Sequence, residues 1–584
     1  MKKIIKLVLA MALSITLFAC GGSSTTTVTG VANGNNGEVT VEVTLNGEKI
    51  ENVVVKDHKE TPGLSDGPIN TIPAAIVENQ SVNIEVVSGA TNTSNAILNA
   101  VKAALKEAGL NPDNYMNAAN ASTTKLEDAT YDVIVLGGGG AGLSAAIEAK
   151  AAGKNVVLVE KMSYCGGNTL LSYAELACPN NWLQKAQGIE DSVEKFATEM
   201  WEGGGKVGKK ELVDIVAANA TDAALWLRDE IGVEYQDYLV WEGGHSVARA
   251  VEPVKLGAGM IDPLVKYAEE HGVEILYNTK ADEFVVENGV VTAVKVSSGD
   301  KTATLTANNG IVLATGGFGA NVEMREHYNT RWETLDSSVK TTNSPAIVGE
   351  GIKMAENIGA NLIDMEHIQL YPFNNPVTGV FYGIEAPSWS GEGLIYVNQD
   401  GNRFVNEVAM RDVRAEGILA QGGLAYAIYN QAVADRLNLE EKFADEYAKC
   451  LADDVFFKAD TLEEVAEHFG INAENLVATM DDYNNGIINN NDKFGRTTSM
   501  VAMTEGGPWY ILKGVVSVHH TMGGVEINTN AEVLDTNGNV IPGLFAAGEV
   551  AGGVHGNNRV GTCAISDITV FGRIAGTNAA NFTR

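Results

Sequence analysis

YDVIVLGGGGAGLSAAIEAKAAGKNVVLVEK, residues 131–161, decides the fold. Val133 to Leu136 is an apolar run that reads as a buried strand, and Val156 to Val159 reads as a second. Between them Gly137, Gly139 and Gly142 form G-x-G-x-x-G ahead of a helix expected over Ala145 to Ala152. Each glycine has a mechanical reason. Gly137 permits the tight turn, Gly139 lets backbone approach a pyrophosphate, and Gly142 lets helix and strand pack closely. The helix start favours negative charge. Glu160, which ends the second strand, can accept hydrogen bonds from ribose hydroxyls. The glycine spacing alone is weak, but strand, turn, helix, strand and acid in this order mark a dinucleotide site.

Two later segments extend that unit. GIVLATGGFG, residues 310–319, and NVIPGLFAAGEVAGG, residues 539–553, each run from a strand into a glycine turn. Both resemble the segments by which two-dinucleotide-fold flavoproteins close around FAD. The fold class is therefore α/β, with the flavin fold divided between residues 130–362 and 510–584 and a capping piece, 363–509, inserted between them.

The 584 residues carry a net charge of −33, with 45% hydrophobic and 20% charged residues. Several domains with sizeable cores are expected at this length. The acidity argues against nucleic acid as a partner and against binding anionic lipid by charge alone. Lys2 and Lys3 precede an apolar run, Ile4 to Phe18, too short to span a bilayer comfortably. The run ends in LFAC, which resembles the lipobox of bacterial lipoproteins. Residues 1–20 are expected to be a lipoprotein signal peptide with Cys20 lipidated, the alternative being a plain signal peptide. The mature protein is then expected outside the cytoplasm, lipid-anchored at the cell membrane. Cys165, Cys178, Cys450 and Cys563 show no CxxC spacing, so no zinc or other metal site is expected, and no CxxCH is present for a c-type haem.

Residues 21–37, GGSSTTTVTGVANGNNG, read as a flexible polar tether, and 38–113 as a small α+β domain. EVTVEVTLNG alternates like a strand and ends in Asn-Gly, so a hairpin with ENVVVKD is expected. In VVSGATNTSNAILNAV, residues 86–101, Ile97, Leu98 and Val101 have helical spacing, continued by Leu105. Ser88 or Thr91 would serve as the N-cap; alternatively a hydroxyl there holds a phosphate, toward which the backbone N–H groups point. Residues 114–129 read as a polar linker.

EKMSYCGGNT, RFVNEVAMRD, HHTMGGV and GEVAGGVHGNNRVGTCAISD resemble the soluble fumarate reductase flavoproteins, over nearly everything from residue 130 onward. The resemblance implies reduction of a carbon–carbon double bond beside a carboxylate, with non-covalent FAD. The FAD residues it implies are Gly137, Gly139, Gly140, Ala141, Gly142, Glu160, Lys161, Gly166, Gly167, Asn168, Thr169, Ala314, Thr315, Gly316, Glu549, Ala564 and Ile565. The small domain is similar to the FMN-binding domain of membrane electron-transfer flavoproteins, in which the Thr ending SGAT carries FMN through a phosphoester made by a dedicated flavin transferase. That implies Thr91 as a covalent FMN anchor, with Thr93 the other candidate. Glu85 stands near where the family motif has Asp. Without haem, FMN would relay electrons to FAD from a membrane-bound flavin or quinol system rather than from soluble NADH.

In such a reduction hydride reaches the carbon β to the carboxylate, and negative charge builds on the α carbon. The site must hold the carboxylate with cations and protonate the α carbon. The family pattern assigns His519 and Arg559 to the carboxylate and Arg411 to the proton. Arginine is ordinarily a poor acid, but the carbanion-like intermediate is a very strong base. A salt bridge to Asp412 is the alternative role for Arg411, and a satisfied core position that for His519; His520 could face the flavin in its place.

Departures from the family pattern bear on the substrate. LLSYAELAC brings Glu175 where the family has small residues. Tyr371, in MEHIQLYPF, stands where fumarate reductases carry a His for a second carboxylate. Ile384-Glu385 replaces a Thr-Glu pair, and the Arg that follows it is missing from APSWSGEG. The far end of the substrate would meet Tyr371, Trp389 and Trp241 with Glu175 and Glu385. Aromatic faces stack a flat ring, and carboxylates accept N–H bonds and repel a second carboxylate. An imidazole fits both, which favours urocanate over a cinnamate-type acid or fumarate, as a terminal step of anaerobic respiration. Alternatively the two acids are solvated or deliver protons. An electron carrier without its own substrate, or an oxidative enzyme on the same fold, would not need the Arg411 segment. The capping domain is expected to close over the substrate and exclude water.

Overall fold

The computed structural model describes residues 25–34, 37–60, 65–84, 91–116, 126–388 and 391–584. Cys20, Glu85, Ser88 and Trp389 lie outside the described residues, and of Thr91 only the backbone is described.

The small unit is a three-stranded antiparallel sheet, Thr25–Asn33, Glu38–Asn46 and Lys49–Asp57 in that order. Along the middle strand Val39, Val41, Val43 and Leu45 are buried while their neighbours face outward, as a period of two requires. Helices Asp66–Asn79 and Thr91–Glu107 complete the core, with Ile97, Val101, Ala104 and Leu105 buried in it. Strand and helix approach closely at Gly30, where a Cβ would stand 1.9 Å from the Ala100 carbonyl oxygen. The expected hairpin forms, turning through Gly47 at φ 61°. The tether reading of 21–37 is corrected: Thr25–Asn33 is an edge strand of this sheet. Its β-branched threonines and valines suit a strand, but few of its side chains are buried, so no apolar alternation marks it. The unit also runs past residue 113 to Tyr115, which is buried and donates to the Glu48 carbonyl at 2.5 Å.

The expected strands Val133–Leu136 and Val156–Val159 lie side by side and parallel. They belong to a six-stranded sheet ordered Glu274–Leu276, Val156–Val159, Val133–Leu136, Ile311–Leu313, Val540–Ala546, Glu532–Leu534, all parallel but the last. Continuous Val, Ile and Leu runs suit parallel strands covered on both faces. The first helix begins at Gly140 rather than Ala145 and ends at Ala151, so the glycine turn itself forms its first turn. Helix Cys563–Asn581 lies against it, and a Cβ at Gly576 would stand 2.1 Å from the Ala145 carbonyl oxygen. Val540–Ala546 pairs with Ile311–Leu313, so segments from both sides of the insertion build one sheet.

The inserted part has a sheet of its own with Trp509–Thr521 as its spine. The first half of this strand pairs with Leu424–Asn430 and Phe456–Ala459, and the second half with Ile368–Asn374 and Lys340–Thr341. It thus leads the chain out of the cap and presents His519 and His520 near its end. Helix Arg411–Leu419 packs on Ile368–Asn374. One hydrophobic core runs through both sheets. Among the described residues, no helix is long and apolar enough to cross a membrane, and no group of three or more His, Cys, Asp or Glu could hold a metal ion.

Candidate active site

An elongated cleft of about 1380 Å³, counting its open mouth, runs from Glu160 to His519, His520 and Arg559. The glycine turn forms one end as its mechanics require. Gly137 has φ 104°, a Cβ on Gly142 would stand 1.9 Å from the Gly137 carbonyl oxygen, and a Cβ on Gly139 would meet nothing nearer than 3.8 Å. Glu160 accepts from the backbone N–H groups of Gly138 and Met162 at 2.7 and 2.8 Å, which oppose but do not cancel the rise in pKa that its burial causes. Lone pairs remain on its oxygens for ribose hydroxyls. Gly140, Ala141, Lys161, Gly167, Asn168, Thr169, Ala314, Thr315, Gly316, Glu549, Ala564 and Ile565 line the same cleft. Gly142 and Gly166 stand behind its wall, Gly166 shaping the loop at φ 132°. Thr315 Oγ1, His520 Nδ1 and Arg559 Nε are buried in the lining without a partner. Buried polar atoms need one, and a long polar ligand such as FAD fits that lining.

At the far end His519 is held through both ring nitrogens, by Thr342 Oγ1 at 2.8 Å and Arg559 Nη2 at 3.0 Å. A guanidinium only donates, so His519 Nε2 accepts and its Nδ1–H donates to Thr342. Here His519 orients Arg559. Burial, reinforced by the charges of Arg411 and Arg559, holds His519 well below the usual histidine range, so it is neutral. His520 is held down likewise, by burial and then by Arg559. Burial and the nearby Arg411 lower Arg559 to about 10, which leaves it a cation at neutral pH.

Tyr371 stands edge-on to His519, ring centroids 5.0 Å apart, with the Arg411 guanidinium 4.9 Å from its centre. Phe381 contacts Tyr371 and forms part of the cleft wall. Arg411 is the first residue of its helix, and its Nη2 lies 3.5 Å from the Glu242 carboxylate. Its Nε and Nη1 are buried without a partner, which suits a carboxylate ligand. The Asp412 alternative fails, because Asp412 accepts from Arg331 and Asn558, each at 3.0 Å.

Buried acids stand among these groups. Burial, then Glu242 and Glu252, push Glu175 well above the usual carboxylate range, and it is hydrogen-bonded to Glu252, so the pair shares a proton. Burial pushes Glu385 up to about 7 against the pull of Arg414, and Tyr396 donates to one of its oxygens. Trp241 does not join Tyr371: it is 47% exposed, with its indole N–H on the His245 carbonyl at 2.7 Å. Sequence reading missed Glu242, Glu252, Arg414 and Phe381. Glu242 stands 169 residues from Arg411, and no local pattern connects them.

A dinucleotide cleft ending against two guanidinium groups and two neutral imidazoles defines a flavin-dependent oxidoreductase. The FAD binding domain family matches residues 132–565, and the FMN-binding domain family residues 34–106. The chain is 41% identical over 574 residues to the urocanate reductase of Eggerthella lenta, covering 97% of this chain and 94% of that one. It is 33% identical to the NADH:acrylate oxidoreductase of Vibrio harveyi, over 95% of this chain but 61% of that longer protein. A flavocytochrome c3 fumarate reductase, solved in its open conformation, aligns with a TM-score of 0.65 at 36% identity, over 78% of this chain and 79% of that one. The chain belongs to this family of FAD-dependent reductases acting on the C=C bonds of unsaturated carboxylates, and carries an FMN-binding domain ahead of its FAD-binding domain.

Proposed function

We propose that this protein reduces urocanate, outside the cytoplasm, as a terminal step of anaerobic respiration. The observation that carries the substrate assignment is the polarity of the site. Tyr371 carries Arg411 over its ring and touches His519, which bonds Arg559, while the buried acids Glu242 and Glu385 also act on it and Glu242 adjoins the Glu175–Glu252 pair. A flat ring with N–H groups and a single carboxylate finds acceptors for the first and guanidinium groups for the second, whereas a second carboxylate would be left among the acids without a cation of its own. The identity to a urocanate reductase supports the same reading.

FAD, when bound, supplies the hydride. Arg559, oriented by His519, holds the substrate carboxylate and draws charge toward it as the α carbon becomes electron-rich. Arg411 gives the α carbon a proton. Tyr371 presents its ring to the substrate, and the acids take its N–H groups. Thr91 carries FMN through a phosphoester made by a flavin transferase, Cys20 carries the lipid, and a membrane flavin or quinol system supplies electrons.

The test is anaerobic oxidation of reduced viologen by protein carrying both flavins, with urocanate, cinnamate, acrylate and fumarate offered singly. Fast turnover with urocanate and little with the others is expected. Turnover with fumarate and none with urocanate would overturn the substrate assignment.

A further inference from the structure

We propose that Glu242 returns protons to Arg411, taking them from solvent through a second cavity. This rests on Arg411 being the proton donor. Each turnover strips one proton from a guanidinium whose side chain is only 10% exposed, and the neutral guanidine must regain it before the next. Among the described residues, Glu242 is the carboxylate paired with Arg411. The other acids nearby are engaged: Asp412 with Arg331 and Asn558, Glu175 with Glu252, Glu385 with Tyr396.

Glu242 also lines a cavity of about 890 Å³, counting its open mouth, at the seam between the flavin fold and the cap. Glu199, His245, Ser388 and Arg414 share its wall, and exposed Trp241 stands in it, so it opens to solvent. The carboxylate therefore has Arg411 within reach and a route to bulk water. Room for it is built in: a Cβ at Gly561, two residues after Arg559, would stand 2.5 Å from Glu242 Oε2. The 3.5 Å separation is at the outer limit of a hydrogen bond, and such contacts tighten in the substrate complex.

The step balances. As the α carbon–hydrogen bond forms, an N–H bond of Arg411 breaks and a neutral guanidine remains. Glu242, protonated from solvent, gives its proton to Arg411 and returns to carboxylate. The net change is one solvent proton taken up for each hydride delivered. Glu242 touches no reacting atom and acts only through Arg411.

The test separates the first turnover from later ones. Arg411 begins protonated, so reduced Glu242→Gln mixed rapidly with urocanate, or with whichever acid the wild type reduces best, completes its first turnover at close to the wild-type rate. Its steady-state rate on reduced viologen falls about tenfold or more. Glu242→Asp restores part of the loss, and added formate restores turnover in Glu242→Ala. A steady-state rate within about twofold of wild type overturns the relay. A first turnover slowed as much as the steady state, without formate rescue, also overturns it and makes Glu242 a structural support. Failure of the wild type on every acid would overturn the assignment of Arg411 as donor, and the relay with it.

Discussion

At the residue scale, buried carboxyls set the pH behaviour. Native Glu385 keeps its proton up to about 7, whereas the unfolded chain releases it near 4.5. Between those values the native state binds more protons than the unfolded one, so this group's contribution falls as pH rises through the window and is constant above it. The full window corresponds to at most about 3 kcal/mol. Glu385→Gln keeps a partner for Tyr396 and lacks that slope. Its melting temperature relative to wild type should rise between about pH 5 and about pH 8; an equal difference at both would mean that Glu385 is ionised throughout. Glu175→Ala tests the ring contact: the KM for urocanate should rise about tenfold while that for acrylate, which has no ring, stays within about twofold. The FMN anchor is decided by two hydroxyls. Thr93 is buried and donates to Glu60, so it is held within the fold, whereas Thr91 opens the helix. Coproduced with a flavin transferase, Thr91→Val should lose the fluorescent band on a denaturing gel and Thr93→Val should keep it. The reverse pattern would move the anchor to Thr93.

At the scale of elements, glycines set how closely helices and strands approach. Helix Cys563–Asn581 carries Ala564 and Ile565 into the cleft wall while Gly576 rests on the Ala145 carbonyl. Gly576→Val would push the helix off a backbone oxygen that cannot move aside, and such overpacking costs about 1–3 kcal/mol. Purified Gly576→Val should melt several degrees lower and hold less FAD per chain, read from the ratio of flavin to protein absorbance. Full flavin content would mean that the shift stops short of the cleft. The same steric logic explains what was legible in the sequence. The strand–turn–helix–strand unit could be read from residues 131–161 because each glycine there answers a local constraint. Thr25–Asn33 could not, because its place depends on a helix about seventy residues further on, and its outward side chains look like those of a polar linker. Arg411, His519 and Arg559 were legible through motifs. Glu242 was not, because Arg411 reaches it from the inserted cap, and Glu252 was not, because it meets Glu175 only through the pairing of Leu176–Ala177 with Ala250–Pro253.

At the scale of the whole molecule, the cap and the flavin fold share one hydrophobic core and are joined at its edge by a polar seam. Arg331, on the flavin fold, reaches Asp412 at 3.0 Å and Glu416 at 2.6 Å on the helix that Arg411 begins. Both pairs are partly exposed, and such pairs are worth about 1 kcal/mol or less and weaken with salt. A latch of that strength would bias a mobile cap shut and still let it release in each cycle. Spine strand Trp509–Thr521 pairs with the cap's Leu424–Asn430 along its first half and with Lys340–Thr341 of the flavin fold along its second. Locking the seam should stop entry of substrate. The four described native cysteines are buried, so a short thiol crosslinker applied to Arg331→Cys/Glu416→Cys reacts at the new pair. The uncrosslinked double variant should keep most of its turnover, since only a weak latch is lost. The crosslinked form should fall about tenfold or more, because a closed cap excludes substrate as well as water. Unchanged turnover after crosslinking would mean that substrate enters without cap opening, and the second cavity beside Glu242 would then be the path to test.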